Sequence, residues 1–229
     1  MSKSTDPGSQ PFDHNTGWKS RSVAEHYDGR RFTSLGGRLF DKAEKHAIAT
    51  CLDVAEKISP IDEMLDLACG TGRISEFLAF RGYQLTCGDI SDEMLRVAKA
   101  RLESAGTGNT TFLNVDIYKV ELPSARFDCV SAFRLFQHLT SEQRGHALRE
   151  MARISRRFVL VNVMHSSTYY DAVRKIRRVL GRYATRYTST QDEVDRELGY
   201  AGLKLLKSIF PQPGFNGNRV LLLEKDVKD

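Results

Sequence analysis

Two carboxylates bracket a glycine turn in this 229-residue chain: Asp66, inside the apolar run Met64-Leu65-Asp66-Leu67, and Asp89, 17 residues past Gly72. After the run come Ala68-Cys69-Gly70-Thr71-Gly72, and then Arg73-Ile74-Ser75-Glu76-Phe77-Leu78-Ala79-Phe80, apolar at helical spacing. A buried strand, a glycine turn and a helix in that order bring backbone close to a ligand. Glycine has no Cβ to hold the ligand off, and the helix start offers exposed N–H groups and a partial positive charge. Asp89 ends a second strand-like run, residues 83–88. Its offset is close to that at which a nucleotide-binding carboxylate accepts hydrogen bonds from ribose hydroxyls. The spacing D-x-A-x-G-x-G differs from the dinucleotide pattern G-x-G-x-x-G, which argues against a pyrophosphate ligand and against a dehydrogenase. The glycines alone would fit any tight strand-to-helix connection. The carboxylates lift the pattern above that.

The stretches LDLACGTGRIS, GDISDEML and NVDIY resemble the class I S-adenosylmethionine-dependent methyltransferases, over residues 60–165. The resemblance implies S-adenosyl-L-methionine as cofactor. It places Asp66, Gly70 and Gly72 along the methionine part, with Ala68 where many members carry the first glycine of the loop. It places Asp89 on the ribose hydroxyls, Ile90 and Met94 near the adenine, and Asp116 and Ile117 on either side of the adenine ring. Phe133, closing the fourth strand, completes the cofactor-side set. A leading helical segment, residues 21–58, would fold over the mouth of the site, with Tyr27, Arg31 and Phe32 as substrate-side lid residues.

Bulk properties narrow the class. The length suits one α/β domain, expected over residues 21–229 after a flexible polar tail, 1–20. No apolar run is long enough to span a membrane and no signal-peptide core is present, so a cytoplasmic location is expected. Cys51, Cys69, Cys87 and Cys129 are scattered and read as small buried groups, so neither a metal site nor a disulfide set is expected. A net charge of +5 is too modest to make nucleic acid the expected partner, and nothing in the sequence assigns an oligomeric state.

The elements that must position these residues alternate. A short helix is expected at 22–27. A longer one at 38–56 should carry Leu39, Ala43, His46, Ala47, Cys51 and Leu52 on one side. From residue 63 strands and helices interchange, which predicts parallel strands with helices on both faces. Ser91 should cap a helix over 92–105, with Met94, Leu95, Ala98 and Leu102 as its stripe. Strands are expected at 110–115, 127–133 and 158–164, and Thr140 with Gln143 forms a capping box for a helix to 154. A second box, Thr190 with Glu193, opens a helix over 191–199. Strands 203–210 and 219–224 are joined too closely for a crossover and should pair antiparallel. With the resemblance, this predicts a Rossmann-like, seven-stranded, mostly parallel sheet with a C-terminal antiparallel hairpin.

One segment stands apart. Residues 166–190 contain Arg174, Lys175, Arg177, Arg178, Arg182 and Arg186, interleaved with Val173, Ile176, Leu180 and Tyr183 at three- and four-residue steps. Such a basic amphipathic helix either lays its apolar stripe on the core or offers a surface to an anionic acceptor.

In open α/β sheets the ligand lies beyond the carboxyl ends of the strands. That collects Arg134, His138, His165, Tyr169 and Tyr170 on the acceptor side. Methyl transfer from a sulfonium needs alignment more than acid–base work, and a base only where the acceptor loses a proton. His138 is the first choice for that base, since imidazole titrates near neutrality, with Arg134 and His165 behind it. A packing role for His138 is the alternative. The leading reading is a small-molecule methyltransferase. Two others keep the same residues: an RNA or protein methyltransferase that docks through helix 173–187, and a non-catalytic cofactor-binding scaffold. The first lacks an Asn-Pro-Pro-Tyr-type motif after strand four, where Phe133-Arg134-Leu135-Phe136 stands. The second has no need of Asp66, Gly70, Gly72 and Asp89 together.

Overall fold

The structure, a computed structural model, describes residues 34–108, 110–179, 187–214 and 217–226. The expected tail, the short helix at 22–27, and Tyr27, Arg31 and Phe32 lie outside these residues, as do Leu180, Arg182, Tyr183 and Arg186.

The described chain runs α1 (Leu35–Glu56), β1 (Glu63–Leu67), α2 (Arg73–Phe80), β2 (Gln84–Asp89), α3 (Asp92–Ser104), β3 (Thr110–Asn114) and β4 (Phe127–Ala132). A 3-10 turn (Phe136–His138) leads to α4 (Ser141–Ile154), β5 (Ser155–Met164), α5 (Thr168–Val179), α6 (Gln191–Ala201), β6 (Leu203–Ile209) and β7 (Asn218–Lys225). One seven-stranded sheet results, in the order β3-β2-β1-β4-β5-β7-β6. The first five strands are parallel, and β7 pairs antiparallel with both β5 and β6. The strand order reverses between β1 and β4, the position at which an open parallel sheet leaves a crevice for a ligand. The expected fold class is borne out.

The helix ends follow their caps. The Ser91 hydroxyl accepts from the Met94 N–H, and both capping boxes, Thr140/Gln143 and Thr190/Glu193, are complete. Two apolar layers sandwich the sheet. One holds Ala147, Leu148, Met151 and Val194 against Leu65, Val130, Val159 and Val161. The other holds Ala47, Ile48, Cys51 and Leu52 against Met64, Cys129, Leu160 and Leu222. Cys51, Cys87 and Cys129 are buried and Cys69 half-buried, all as free thiols. No helix among the described residues is long and apolar enough to cross a membrane.

One expectation needs correction. The buried stripe of α1 is Glu44, Ala47, Ile48, Cys51, Leu52 and Ala55, rotated from the expected one; Leu39 is 56% exposed and His46 is exposed. The helix turns this way because its second half packs on β6 and β7, while Glu44 takes the place of an apolar residue where it meets Arg73, Arg134 and Asn218. Within α5 the apolar residues Ile176 and Val179 are 61% and 87% exposed. The helix is anchored through its first turn. The Tyr169 hydroxyl donates to the Gly214 carbonyl (2.7 Å), the Tyr170 hydroxyl accepts from the Gly214 N–H (3.2 Å), and the Tyr170 ring stacks on Phe210.

Candidate active site

The turn after β1 is built from left-handed backbone. Ala68, Gly70 and Gly72 have φ of 56°, 57° and 76°. The Gly72 N–H closes the turn on the Cys69 carbonyl at 3.1 Å, and the Cys69 N–H donates to Gly88 on β2. The glycines serve different ends. A Cβ on Gly72 would sit 2.9 Å from the Ala98 Cβ, so this position is reserved for the packing of α2 against α3. A Cβ on Gly70 would meet nothing within 4 Å. The open space beside Gly70 is the cradle that a closely bound ligand would fill. Gly72→Ala should therefore cost about 3 kcal/mol from left-handed strain plus overpacking, and Gly70→Ala about 1 kcal/mol from strain alone. Denaturant unfolding separates the two; equal losses would refute the distinction.

Asp89 closes this cradle from the end of β2. It is 7% exposed; one carboxylate oxygen accepts from the Gly70 N–H (2.9 Å) and the other from the Ser91 N–H (2.9 Å). Burial raises its pKa, against the backbone donors Ser91, Gly70 and Ile90, which favour the charged form. Around it, Ile90 is 44% exposed, while Met94 and Ile117 are buried. Asp116 is exposed and accepts from the Tyr118 N–H at 2.9 Å. Phe133 is buried in the sheet-facing apolar layer.

Asp66 lies beneath the glycine turn. Its carboxylate is fully buried and accepts hydroxyl hydrogen bonds from Ser75 (2.6 Å) and Ser131 (2.9 Å). It therefore ties β1 to β4 and to the first turn of α2 beneath the glycine loop. Burial pushes its pKa up to about 6, against those two hydroxyls. A raised carboxyl pKa contributes stability that is fully present below the unfolded value of ~3.9 and lost as pH rises through the folded value. Asp66→Asn should accordingly be more stable than the parent at pH 7.5, by up to about 3 kcal/mol, with the difference vanishing below about pH 4. Urea unfolding across that range checks this, and a pH-independent difference would contradict it.

On the acceptor side Arg134 follows β4 in left-handed backbone (φ 65°). Its N–H donates to the Asn162 side-chain carbonyl at 2.6 Å, and its guanidinium lies over the Phe40 ring. His138 is half-buried at the end of the 3-10 turn, its Nε2 3.1 Å from the Gln137 amide nitrogen. As oriented, that amide donates and Nε2 accepts, which puts the ring proton on Nδ1. His165 follows β5 with its ring edge-on to Phe210, and its backbone N–H donates to the Gly217 carbonyl. Tyr169 and Tyr170 have their hydroxyls at the Gly214 backbone.

Sequence reasoning missed a group of residues that binds these parts together. Glu44 on α1 is fully buried between two arginines: Arg73, which opens α2 directly after Gly72, and Arg134, whose Nε lies 3.1 Å from Glu44 Oε1. The Asn218 amide donates to the same Oε1 at 3.1 Å, and the Asn162 amide donates to Asn218 at 2.6 Å. Asp41 pairs with Arg73 from one turn earlier on α1. Two signals were available: Glu44 falls four residues before Ile48 on the buried stripe, and Asn162 interrupts the apolar run of β5.

Residues 64–158 match the family model described as a methyltransferase domain. Over 98 residues the chain is 34% identical to the ubiquinone/menaquinone biosynthesis C-methyltransferase UbiE of Pseudomonas fluorescens, a match covering 41% of this chain and 37% of that protein. Over 145 residues it is 25% identical to the chloroplastic magnesium protoporphyrin IX methyltransferase of Arabidopsis thaliana, covering 62% of this chain and 46% of that one. The chain thus spans less than half the length of these relatives. The crystal structure of the magnesium protoporphyrin IX methyltransferase ChlM from Synechocystis PCC 6803, with bound SAH, superposes with a TM-score of 0.72 over 89% of this chain and 98% of that one. At 16% identity that likeness is one of fold.

Proposed function

We propose that this chain, whose residues 64–158 match a methyltransferase-domain model and whose fold is that of S-adenosylmethionine-dependent methyltransferases, methylates a small-molecule acceptor by direct displacement. The observation that carries the reading is the joining of Asp89 to the glycine turn. A buried carboxylate bonded to the Gly70 N–H borders the one side of Gly70 where an added Cβ meets nothing. A nucleoside with an attached amino-acid chain suits this cradle: Asp89 accepts from ribose hydroxyls, exposed Ile90 covers an aromatic base, and Gly70 lets the chain pass close to the backbone. Bound there, S-adenosyl-L-methionine supplies an electrophilic methyl carbon on a good leaving group.

The chain's own residues then bind, orient and exclude water. Asp66 holds the loop from below through Ser75 and Ser131, and Arg134 and His138 present polar groups from the end of β4. For an acceptor that must lose a proton, His138 is the residue to take it once its Nε2 is released from the Gln137 amide. An anionic group on the acceptor belongs to the same reading, because the sequence of α5 is basic at 174–178 and its Lys175 is exposed. A cytoplasmic setting belongs to the same reading. The reading is tested by incubating the full chain with methyl-labelled S-adenosyl-L-methionine and a panel of phenolic, carboxylated and phosphorylated small molecules. Label should appear in at least one acceptor and not in RNA or protein; label confined to a macromolecule would overturn it.

A further inference from the structure

Glu44 sits where no general feature of a parallel sheet demands a charge. It is completely buried on α1, in line with the apolar residues Ile48, Cys51 and Ala55, yet it faces two guanidinium groups and an amide. Each of its three partners comes from a different part of the site. Arg73 is the first residue of α2, next to the glycine turn. Arg134 follows β4 on the acceptor side, and Asn218 opens β7. The contacts close a circuit: Glu44 accepts from Asn218, Asn218 accepts from Asn162, and Asn162 accepts from the backbone N–H of Arg134. The Arg134 side chain then returns to Glu44. Arg134 is thereby held at both its backbone and its guanidinium in a left-handed conformation that a non-glycine residue adopts only when its surroundings impose it.

We propose that Glu44 is a positioning residue that makes the glycine turn, the loop after β4 and helix α1 move as one unit, so that occupancy of the cofactor cradle is felt along α1 and at Arg134. The inference rests on the cofactor reading above. Its physics is that of a buried ion group. A carboxylate shared by two arginines can satisfy both only in one arrangement, and a displacement of Arg73 at the turn must be answered at Arg134. Asp41 provides Arg73 with a second carboxylate, so the Arg73 leg survives the loss of Glu44 better than the Arg134 leg. Burial alone would lower the Arg73 pKa; the Glu44 and Asp41 charges outweigh it and raise it.

The test uses the full chain and two readouts, S-adenosylhomocysteine affinity by calorimetry and hydrogen exchange of the amides at residues 41–48 with and without that ligand. In the parent, ligand should slow exchange at the glycine turn and at 41–48 together. In Glu44→Gln the amide would turn a donor towards the arginines. Affinity should fall about tenfold or more, the loss of one charge-assisted contact, and the ligand should protect the turn while leaving 41–48 unchanged. Arg134→Lys, which keeps the charge but removes Nε, should also abolish ligand protection at 41–48 and stands in should Glu44→Gln fail to fold. A residue that merely stabilised α1 would lower the unfolding midpoint and leave ligand-linked protection intact. Retained protection at 41–48 in the folded variant, or its absence in the parent while the parent binds ligand, overturns the proposal. A parent that binds no ligand overturns the cofactor reading instead.

Discussion

Asp89→Ala is expected to weaken S-adenosylhomocysteine binding about 100-fold and to leave the unfolding midpoint nearly unchanged. On the proposed cofactor reading, two charge-assisted hydrogen bonds from Asp89 to ribose hydroxyls would contribute together about 3 kcal/mol, and each ~1.4 kcal/mol is a factor of ten in affinity. Stability is spared because two effects oppose each other. The variant loses acceptors for the Gly70 and Ser91 N–H groups, but it also removes a buried carboxylate whose pKa is raised chiefly by its burial. Calorimetry and thermal unfolding on the same preparation read both quantities. An affinity within about threefold of the parent would remove Asp89 from the binding site.

Glu197→Ala should be the most destabilising single change outside the apolar layers, by about 3–5 kcal/mol, since it strands a buried guanidinium. Arg144 on α4 is 2% exposed and meets both Glu197 oxygens from α6, with Nη2 2.7 Å from Oε1; its Nη1 also donates to the Leu139 carbonyl. The Ser141 hydroxyl donates to the same carboxylate at 2.7 Å. The pair thus fixes α6 to α4 and pins the end of the acceptor-side loop through Leu139. Replacing both members, Arg144→Met with Glu197→Leu, should recover most of the loss, because a buried pair is worth little beyond an apolar isostere of similar volume. Denaturant unfolding of the single and double variants checks this. A double variant as unstable as Glu197→Ala would mean that Leu139 and Ser141, rather than the buried charge, dominate.

The sheet was legible because its determinants are local. The Ser91 cap, the two capping boxes and the short connection that pairs the last two strands antiparallel each act within a few residues, and each appears as read. The carboxylate and glycine pattern was legible for the same reason: Asp66, Gly70, Gly72 and Asp89 fall within 24 consecutive positions. What could not be read was pairing at long range. Asn218 and Glu44 are 174 residues apart, and nothing in either neighbourhood announces the other. The rotation of α1 has the same origin, since β6 and β7, which follow 147 residues after its end, decide which side is buried. Ile176 of α5, a member of the apolar stripe and 61% exposed, shows the limit of periodicity as a guide. A 3.6-residue repeat marks an amphipathic helix but does not say that the apolar side meets the core.

Titration calorimetry of the purified full chain with S-adenosylhomocysteine and, separately, NADH tests the cofactor assignment most directly. Saturable one-to-one binding of the first and no binding of the second is the expected result, as the D-x-A-x-G-x-G spacing departs from the pyrophosphate-binding G-x-G-x-x-G. NADH binding, or no heat with S-adenosylhomocysteine under conditions where the chain is folded, would contradict it.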